Sequence, residues 1–194
     1  IIQNRNFQSL FDLSYTVPAM HLTESGPSDE IRLRGIGSGN NGSFEQSVGT
    51  FVDGIYHGRA RMSRAMFLDR ERIEILKGPQ STYFGNNAIA GALNLTTRRP
   101  GEELEGYVSA LYEANHGEYA LEAAAGGPLS ATLGARIALR TSGMEGFLTD
   151  VSAAEDVPNT EDSAGRIVFV WKPAGNFDAT LKLEAGSGDT SEFR

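Results

Sequence analysis

The sequence predicts two parts with different architectures: an α+β domain over residues 1–100, and antiparallel strands of a transmembrane β-barrel over residues 101–194. In the first part, short alternating segments are interrupted by glycine, proline and brief helical patterns. In the second part, five segments of about ten residues alternate apolar with polar side chains, as barrel strands that cross a lipid bilayer do. Because barrels wide enough to enclose a domain have about 22 strands, we expect the barrel to be incomplete in this chain.

Composition excludes several classes of function. Twenty-five acidic and 17 basic residues give a formal charge of −8, which argues against a nucleic-acid-binding surface. The sequence has no cysteine, so disulfides, thiolate metal sites and cysteine catalysis are excluded. No apolar run approaches the roughly 18 residues that a membrane-spanning helix needs. The chain opens at Ile1 with no methionine or signal segment, so we expect it to be an internal fragment.

The first hundred residues are predicted to contain two short helices and four strands. Phe7, Leu10 and Phe11 have the i, i+3, i+4 spacing of an amphipathic helix, and Val17-Pro18 ends it. The predicted elements are a helix at 6–14, strands at 31–36, 50–56, 72–77 and 92–97, one helical turn at 80–84, and a polar loop at 21–29.

A glycine-rich loop follows the first of these strands and has the sequence GSGNNG at 37–42. It matches the G-x-G-x-x-G pattern of dinucleotide sites, so a nucleotide-dependent oxidoreductase is one alternative for the function. That alternative needs a helix after Gly42 and alternating β–α units beyond it. Residues 43–49 have no helical apolar stripe, and five β segments follow Pro100. We therefore predict a flexible glycine–asparagine loop, no enzyme activity and no catalytic residues.

The next loop contains the one local concentration of positive charge, with three arginines and a histidine within nine residues. Arginine binds carboxylate and phosphate in a bidentate manner, so this cluster could attract an anionic solute. The alternative is an ordinary solvated loop. A metal site is not predicted, because His21 and His116 lie far away and lack ligand spacing. The cationic cluster consists of His57, Arg59, Arg61 and Arg64.

The second part shows five alternating segments with one apolar and one charged face. They lie at 107–114, 119–125, 133–140, 166–172 and 177–184. Short turns at 126–130 and 173–176 contrast with a long polar stretch at 141–163, as periplasmic turns and external loops differ in a barrel. A soluble β-rich binding or structural protein would also alternate. It would place polar residues on both faces, which Ile137, Leu139, Phe169 and Trp171 do not fit.

Four ordered motifs resemble the plug domain of TonB-dependent outer-membrane receptors. The sequence reads IRLRGIG at 31–37, FVDGIY at 51–56, RIEILKGPQST at 72–82, and AIAGALNL followed by TRRP between 88 and 100. The resemblance covers roughly residues 12–100. There are two departures: Tyr83-Phe84 stands where the family more often has leucine-tyrosine, and Lys77 stands where arginine is usual.

The resemblance implies an outer-membrane active transporter of a Gram-negative bacterium, without a cofactor, that takes up a scarce large solute. The family's usual cargo is a ferric siderophore or similar iron complex, with cobalamin, haem and glycans also known. Its partners are a TonB-type energy-coupling protein in the periplasm and outer-membrane lipid. A ligand-sensing plug module without transport is the alternative within this class. The family has a TonB box before the plug, and the sequence shows none.

The resemblance also suggests functional residues. It places the glycine–asparagine loop, with Asn40 and Asn41, and the cationic cluster at the plug apex, where they would contact an anionic or metal-chelate solute. It places Arg34 and Lys77 where the plug has basic residues that pair with wall glutamates. Each of these two residues ends an alternating strand just before a glycine. The alternative is that both are solvent-facing charges worth under about 1 kcal/mol. We call Arg34 and Lys77 the predicted ionic latch.

Overall fold

The structure is a computed structural model that describes residues 10–25, 28–37, 47–57, 68–85, 88–114, 117–145, 148–150, 155–157, 159–173 and 176–191. The chain divides into two compact units, residues 1–98 and residues 99–194. Across the described ranges, none of the helices combines the length and the apolar character that crossing a bilayer requires.

The first unit combines a hairpin, a four-stranded mixed sheet and two short helices. The hairpin strands are antiparallel. The order in the sheet is β4-β3-β6-β5, with β3 and β6 parallel and the outer pairs antiparallel. The elements are α1 Leu10–Thr16, β1 Met20–Ser25, β2 Ser28–Leu33, β3 Val48–Val52, β4 Ile55–His57, β5 Arg70–Lys77, α2 Ser81–Phe84 and β6 Gly91–Thr97.

The main core of this unit lies between the sheet, α1 and the hairpin. Alternation along β3 and β6 turns Val48, Val52, Leu93 and Leu95 to the same side, where they meet Leu13 of α1 and residues of the hairpin. A smaller aromatic cluster forms on the opposite side of the sheet, where Phe51 packs against Tyr56 and Phe84. Both sides of the sheet therefore contain buried apolar side chains.

Four predicted boundaries in the first unit differ from the structure. The strand predicted at 31–36 is β2 Ser28–Leu33, because Arg34 and Gly35 turn the chain with φ of 54° and 80°. The helix spans Leu10–Thr16 rather than 6–14, and residues 1–9 lie outside the described part. The predicted polar loop at 21–29 is wrong, because it forms most of the β1–β2 hairpin. Its facing residues are mostly polar, for example Thr23 opposite Glu30, so the strand pattern was weak. The strand predicted at 50–56 is two paired strands, because Asp53-Gly54 makes a tight turn with φ of 50° and 80°.

The second unit is a five-stranded antiparallel sheet with the order β13-β12-β9-β8-β7, plus a small separate hairpin of β10 and β11. Its strands are β7 Glu105–Glu113, β8 Glu118–Pro128, β9 Leu133–Met144, β10 Leu148–Asp150, β11 Glu155–Val157, β12 Asn159–Trp171 and β13 Ala179–Ser191. Within the described residues, both edges of the sheet, β7 and β13, are open, so the sheet does not close on itself.

The long loop predicted at 141–163 is wrong at both ends. The β9–β12 ladder continues through pairs such as Ser163 with Thr141 and Thr160 with Met144. Apolar alternation stops in this region because both faces of these strand ends are mostly polar. Backbone hydrogen bonding needs no apolar side chains, so the strands continue beyond the pattern that predicted them.

The two faces of the five-stranded sheet have opposite character. Val108 is 76% exposed and Trp171 48% exposed, whereas Arg136 and Arg166 are each only 2% exposed. A water-soluble sheet buries its apolar face and exposes its charged one, so this arrangement is reversed. Other exposed members of the apolar face are Tyr112, Leu121, Ile137, Leu139, Leu181 and Leu183.

Candidate functional site

The two latch residues of the first unit converge on the short connection between α1 and β1. Arg34 follows β2 with a left-handed φ of 54°, and its backbone N–H donates to the Ala19 carbonyl at 2.8 Å. Lys77 ends β5, and its Nζ donates to the Pro18 carbonyl at 2.8 Å. The two predicted residues end different strands, but both donate to the same connection, at Pro18 and Ala19.

The Arg34 guanidinium lies beside the turn that follows Lys77. A Cβ built on Gly78 would lie 3.9 Å from Arg34 Nη1, and Gly78 itself has a φ of 97°. Within the residues that the structure describes, neither Arg34 nor Lys77 forms an ion pair. Among the described residues, the side-chain hydrogen-bond partner of Lys77 is the Pro18 carbonyl. Pairing with wall glutamates stays a prediction.

An ion pair between a buried glutamate and a half-exposed arginine lies on β2, the strand that ends just before Arg34. Glu30 is 1% exposed, and its Oε2 accepts from Arg32 Nη2 at 2.7 Å and from Arg32 Nε at 2.9 Å. The hydrogen bond to Glu30, together with its negative charge, raises the pKa of Arg32. A Cβ on Gly37 would lie 2.5 Å from both Arg32 Cγ and Glu30 Oε1, so the motif glycine leaves room for this pair. Sequence reasoning missed the pair, although an acid and a base two residues apart on a strand share a face.

Most of the predicted apical residues cannot be placed. Asn40, Asn41, Arg59, Arg61 and Arg64 lie outside the described residues. His57 is described; it ends β4 opposite Thr50 and is half-buried. Among the described residues, no group of histidine, aspartate and glutamate is arranged to hold a metal ion.

Asp53 joins the β3–β4 turn to the end of the central strand β6. Its Oδ1 accepts from the Thr97 backbone N–H at 2.9 Å, and its Oδ2 accepts from Thr97 Oγ1 at 2.7 Å. Its own N–H donates to the Leu95 carbonyl at 2.9 Å. The sequence indicated only a turn here. The structure shows in addition that the Asp53 carboxylate bonds to Thr97, 44 residues further along the chain.

The charged face of the second unit is a set of ion pairs across strands. Arg140 Nη1 lies 3.4 Å from Glu122 Oε2, and Glu122 also accepts from the Tyr107 hydroxyl. Further pairs across strands are Arg136 with Glu105 at 3.1 Å and Arg166 with Glu184 at 2.8 Å, and Lys182 lies 3.4 Å from Glu184 within β13. These cations are neutralised within their own sheet, so the face is polar but nearly balanced in charge.

Comparisons with known proteins agree with this architecture. Residues 1–92 match the family described as the TonB-dependent receptor plug domain. An iron-regulated outer membrane virulence protein of Vibrio cholerae is 30% identical over 116 residues, which are 55% of this chain and 17% of that protein. A hemin receptor of Yersinia enterocolitica is 31% identical over 163 residues, which are 81% of this chain and 22% of that protein.

Solved structures share the fold of both units. The ferric yersiniabactin uptake receptor FyuA from Yersinia pestis matches with a TM-score of 0.79 at 23% identity, over 91% of this chain and 28% of that receptor. With 17% and 22% of their length covered, the chain spans about a fifth of the curated relatives named above. The predicted resemblance and fold class are confirmed. Residues 1–92 belong to the TonB-dependent receptor plug-domain family.

Proposed function

We propose that the chain is part of an outer-membrane receptor that imports a scarce, large solute using energy delivered by a TonB-type protein. The solute class is a ferric siderophore or a similar iron complex. The observation that supports this most directly is a plug-domain match over residues 1–92 followed by a sheet that exposes its apolar face. Names of relatives, among them a hemin receptor and a ferric yersiniabactin receptor, support the iron-complex class.

The exposed apolar face of the second unit supports residence in lipid. Its strands are 9 to 13 residues long, which is enough to cross the hydrocarbon layer when tilted. Trp171 and Phe177 make an edge-to-face pair, with ring centroids 5.8 Å apart, near the short turn that joins β12 and β13. Aromatic residues at the ends of barrel strands lie at the membrane interface. The face therefore suits acyl chains along its middle and head groups at its turn end.

The proposed solute contacts are the apical residues suggested by the sequence: Asn40, Asn41, His57, Arg59, Arg61 and Arg64. Arginine guanidinium groups suit the carboxylates and other anionic oxygens of a metal chelate. No metal-binding role for the protein itself is proposed, since the chelate would bring its own iron. No catalytic role is assigned to any residue.

The test uses the full-length gene in its own host. Deleting it should abolish growth on one ferric complex from a panel of siderophores and haem under iron limitation. Import of the radiolabelled complex should also stop when TonB is deleted or the proton gradient is collapsed. Binding without import in the intact strain would instead support a sensing module. Growth and import on every complex at the parental rate would contradict the proposal.

The cationic cluster has its own prediction. Changing Arg59, Arg61 and Arg64 together to alanine in the full-length receptor should raise the Kd for an anionic ferric complex by at least about tenfold at low salt, where charge attraction is largest. The effect should shrink as salt is added. A control that changes Arg72 and Lys172 to alanine removes charge elsewhere and should leave the Kd unchanged. An unchanged Kd for the triple variant would exclude the cluster from binding.

A further inference from the structure

The connection between the two units is held by contacts at both of its ends. On the first unit, the Arg98 backbone N–H donates to the Asp69 carbonyl at 3.0 Å, and Arg98 Nε donates to the Arg70 carbonyl at 3.3 Å. These bonds fasten the end of β6 to the start of β5. Arg99 follows, and Pro100, Glu103 and Leu104 contact glycines of the second unit's own sheet.

Glycines at the turn end of β8 and β9 make room for residues 100–104. A Cβ on Gly134 would lie 3.0 Å from Pro100 Cγ, so the proline ring occupies the space over that glycine. A Cβ on Gly127 would lie 2.8 Å from Leu104 Cα and 3.0 Å from the Glu103 carbonyl oxygen. The connecting backbone thus lies closer to the sheet than any residue with a side chain at these positions would allow.

An arginine fastens the far end of the same segment. A Cβ on Gly126 would lie 2.7 Å from Cβ and Cγ of Arg136, so the arginine stem runs over this glycine of β8. Its Nη1 then reaches Glu105 Oε1 at 3.1 Å, at the start of β7. Arg136 is 2% exposed and spans one whole intervening strand. The pair therefore joins two strands that are not hydrogen-bonded neighbours.

We propose that residues 100–105, which we call the strap, act as a fixed anchor for the plug connection. The role of the strap in transport rests on the proposed function, whereas the contacts that hold the strap do not depend on it. Arg98 is held by the first unit and Pro100 by the second, so at most two Cα–Cα steps, about 7.6 Å, separate the two anchors. While the strap stays in contact with its sheet, the end of β6 and the start of β5 are held in place when the plug opens a path for the solute. Opening movements are then confined to the elements before it, α1, β1 and β2.

Trypsin gives a direct assay of the strap in the full-length receptor. The peptide bond after Arg98 is a tryptic site with exposed side chains, whereas the bond after Arg99 resists trypsin because proline follows. Seating of the strap should keep cleavage after Arg98 slow. Arg136→Met should accelerate this cleavage about tenfold, because it removes the charged partner that holds Glu105. Gly134→Val should also accelerate this cleavage, because the valine side chain would displace the Pro100 ring. This substitution changes no charge.

The matched control is Arg140→Met, which removes another arginine of β9 that pairs with Glu122 rather than with the strap. It should leave cleavage after Arg98 at the wild-type rate. If Arg136→Met fails to assemble, Glu105→Gln alters an exposed side chain of the same pair and should still accelerate cleavage several-fold. Wild-type rates in both Glu105→Gln and Gly134→Val, or equal acceleration by Arg140→Met, would overturn the proposal.

A second measurement separates the strap from transport itself. In the energised receptor with ferric complex present, amide exchange over residues 98–105 should stay at its resting rate while exchange in α1, β1 and β2 rises. Rapid exchange over 98–105 during transport would overturn the anchor role. The trypsin assay needs neither solute nor energy, so a failure of the transport function would leave its result interpretable.

Discussion

Arg34 and Lys77 show how backbone shape brings two residues from different strand ends to one connection. Arg34 is held in a left-handed conformation, and a glycine follows each of the two residues. The carbonyl of Pro18 stabilises the Lys77 ammonium, but a carbonyl dipole neutralises no charge. If a closed lumen surrounds these two cations, each needs a carboxylate, because an unpaired buried charge costs several kcal/mol. This is the physical reason to keep the ionic latch as a proposal.

The latch makes a prediction for the complete receptor. Arg34→Glu should loosen the plug and speed amide exchange over residues 31–97, and it should let large antibiotics leak into the cell. Losing a partner in a buried pair costs about 3–5 kcal/mol, so the change should be easy to detect. Arg34→Lys keeps the charge and serves as the control. Wild-type exchange and permeability in Arg34→Glu would show that the residue is a solvent-facing charge.

Asp53 provides a second prediction at this scale. Asp53→Ala removes both hydrogen bonds to Thr97 and puts alanine at a positive φ, so it should destabilise the plug by about 1–3 kcal/mol. Asp53→Asn keeps an acceptor and tolerates that φ, so it should cost less than about 1 kcal/mol. Amide exchange of β6 in the full-length receptor measures both. Wild-type protection of β6 in Asp53→Ala would show that the aspartate does not hold β6.

Elements were predictable where their residues repeat a clear period. The strands expected at 72–77 and 92–97 lie within β5 Arg70–Lys77 and β6 Gly91–Thr97. The β1–β2 hairpin was missed because its cross-strand pairs are mostly polar and a period of two was hard to see. The long ends of β9 and β12 were missed for the same reason. In these places backbone pairing, rather than side-chain burial, decides the structure, and a sequence pattern reports only burial.

The two faces of β13 allow a paired prediction. Leu181→Arg puts a charge on the exposed apolar face and should destabilise the receptor in phospholipid vesicles by about 2–4 kcal/mol. Thr180→Arg, one residue earlier and on the opposite face, should change stability by only about 0.5 kcal/mol. Urea unfolding of the full-length receptor in vesicles measures both. Similar losses for the two variants would contradict a lipid-facing assignment of Leu181.

At the scale of the whole chain, sequence motifs identified the fold class and family, but not the contacts that join distant segments. Pairs such as Arg136 with Glu105 and Asp53 with Thr97 depend on strand register. Register depends on turn geometry and on which strands become neighbours, and a local motif does not specify these. The same limit explains why the latch residues were foreseen singly, from strand ends, while their convergence on residues 18–19 was not.

The parallel pairing of β3 with β6 has a consequence for how the plug can assemble. β6 lies between β3 and β5, yet it is the last strand of the unit to be synthesised. The β1–β2 and β3–β4 hairpins can form from local chain, but the centre of the sheet must wait until residues 91–97 arrive. Until then one edge of β3 has no partner and can pair with other chains. A newly exported chain is therefore most prone to aggregation just before residues 91–97 become available, and a chaperone that shields β3 would act in that interval.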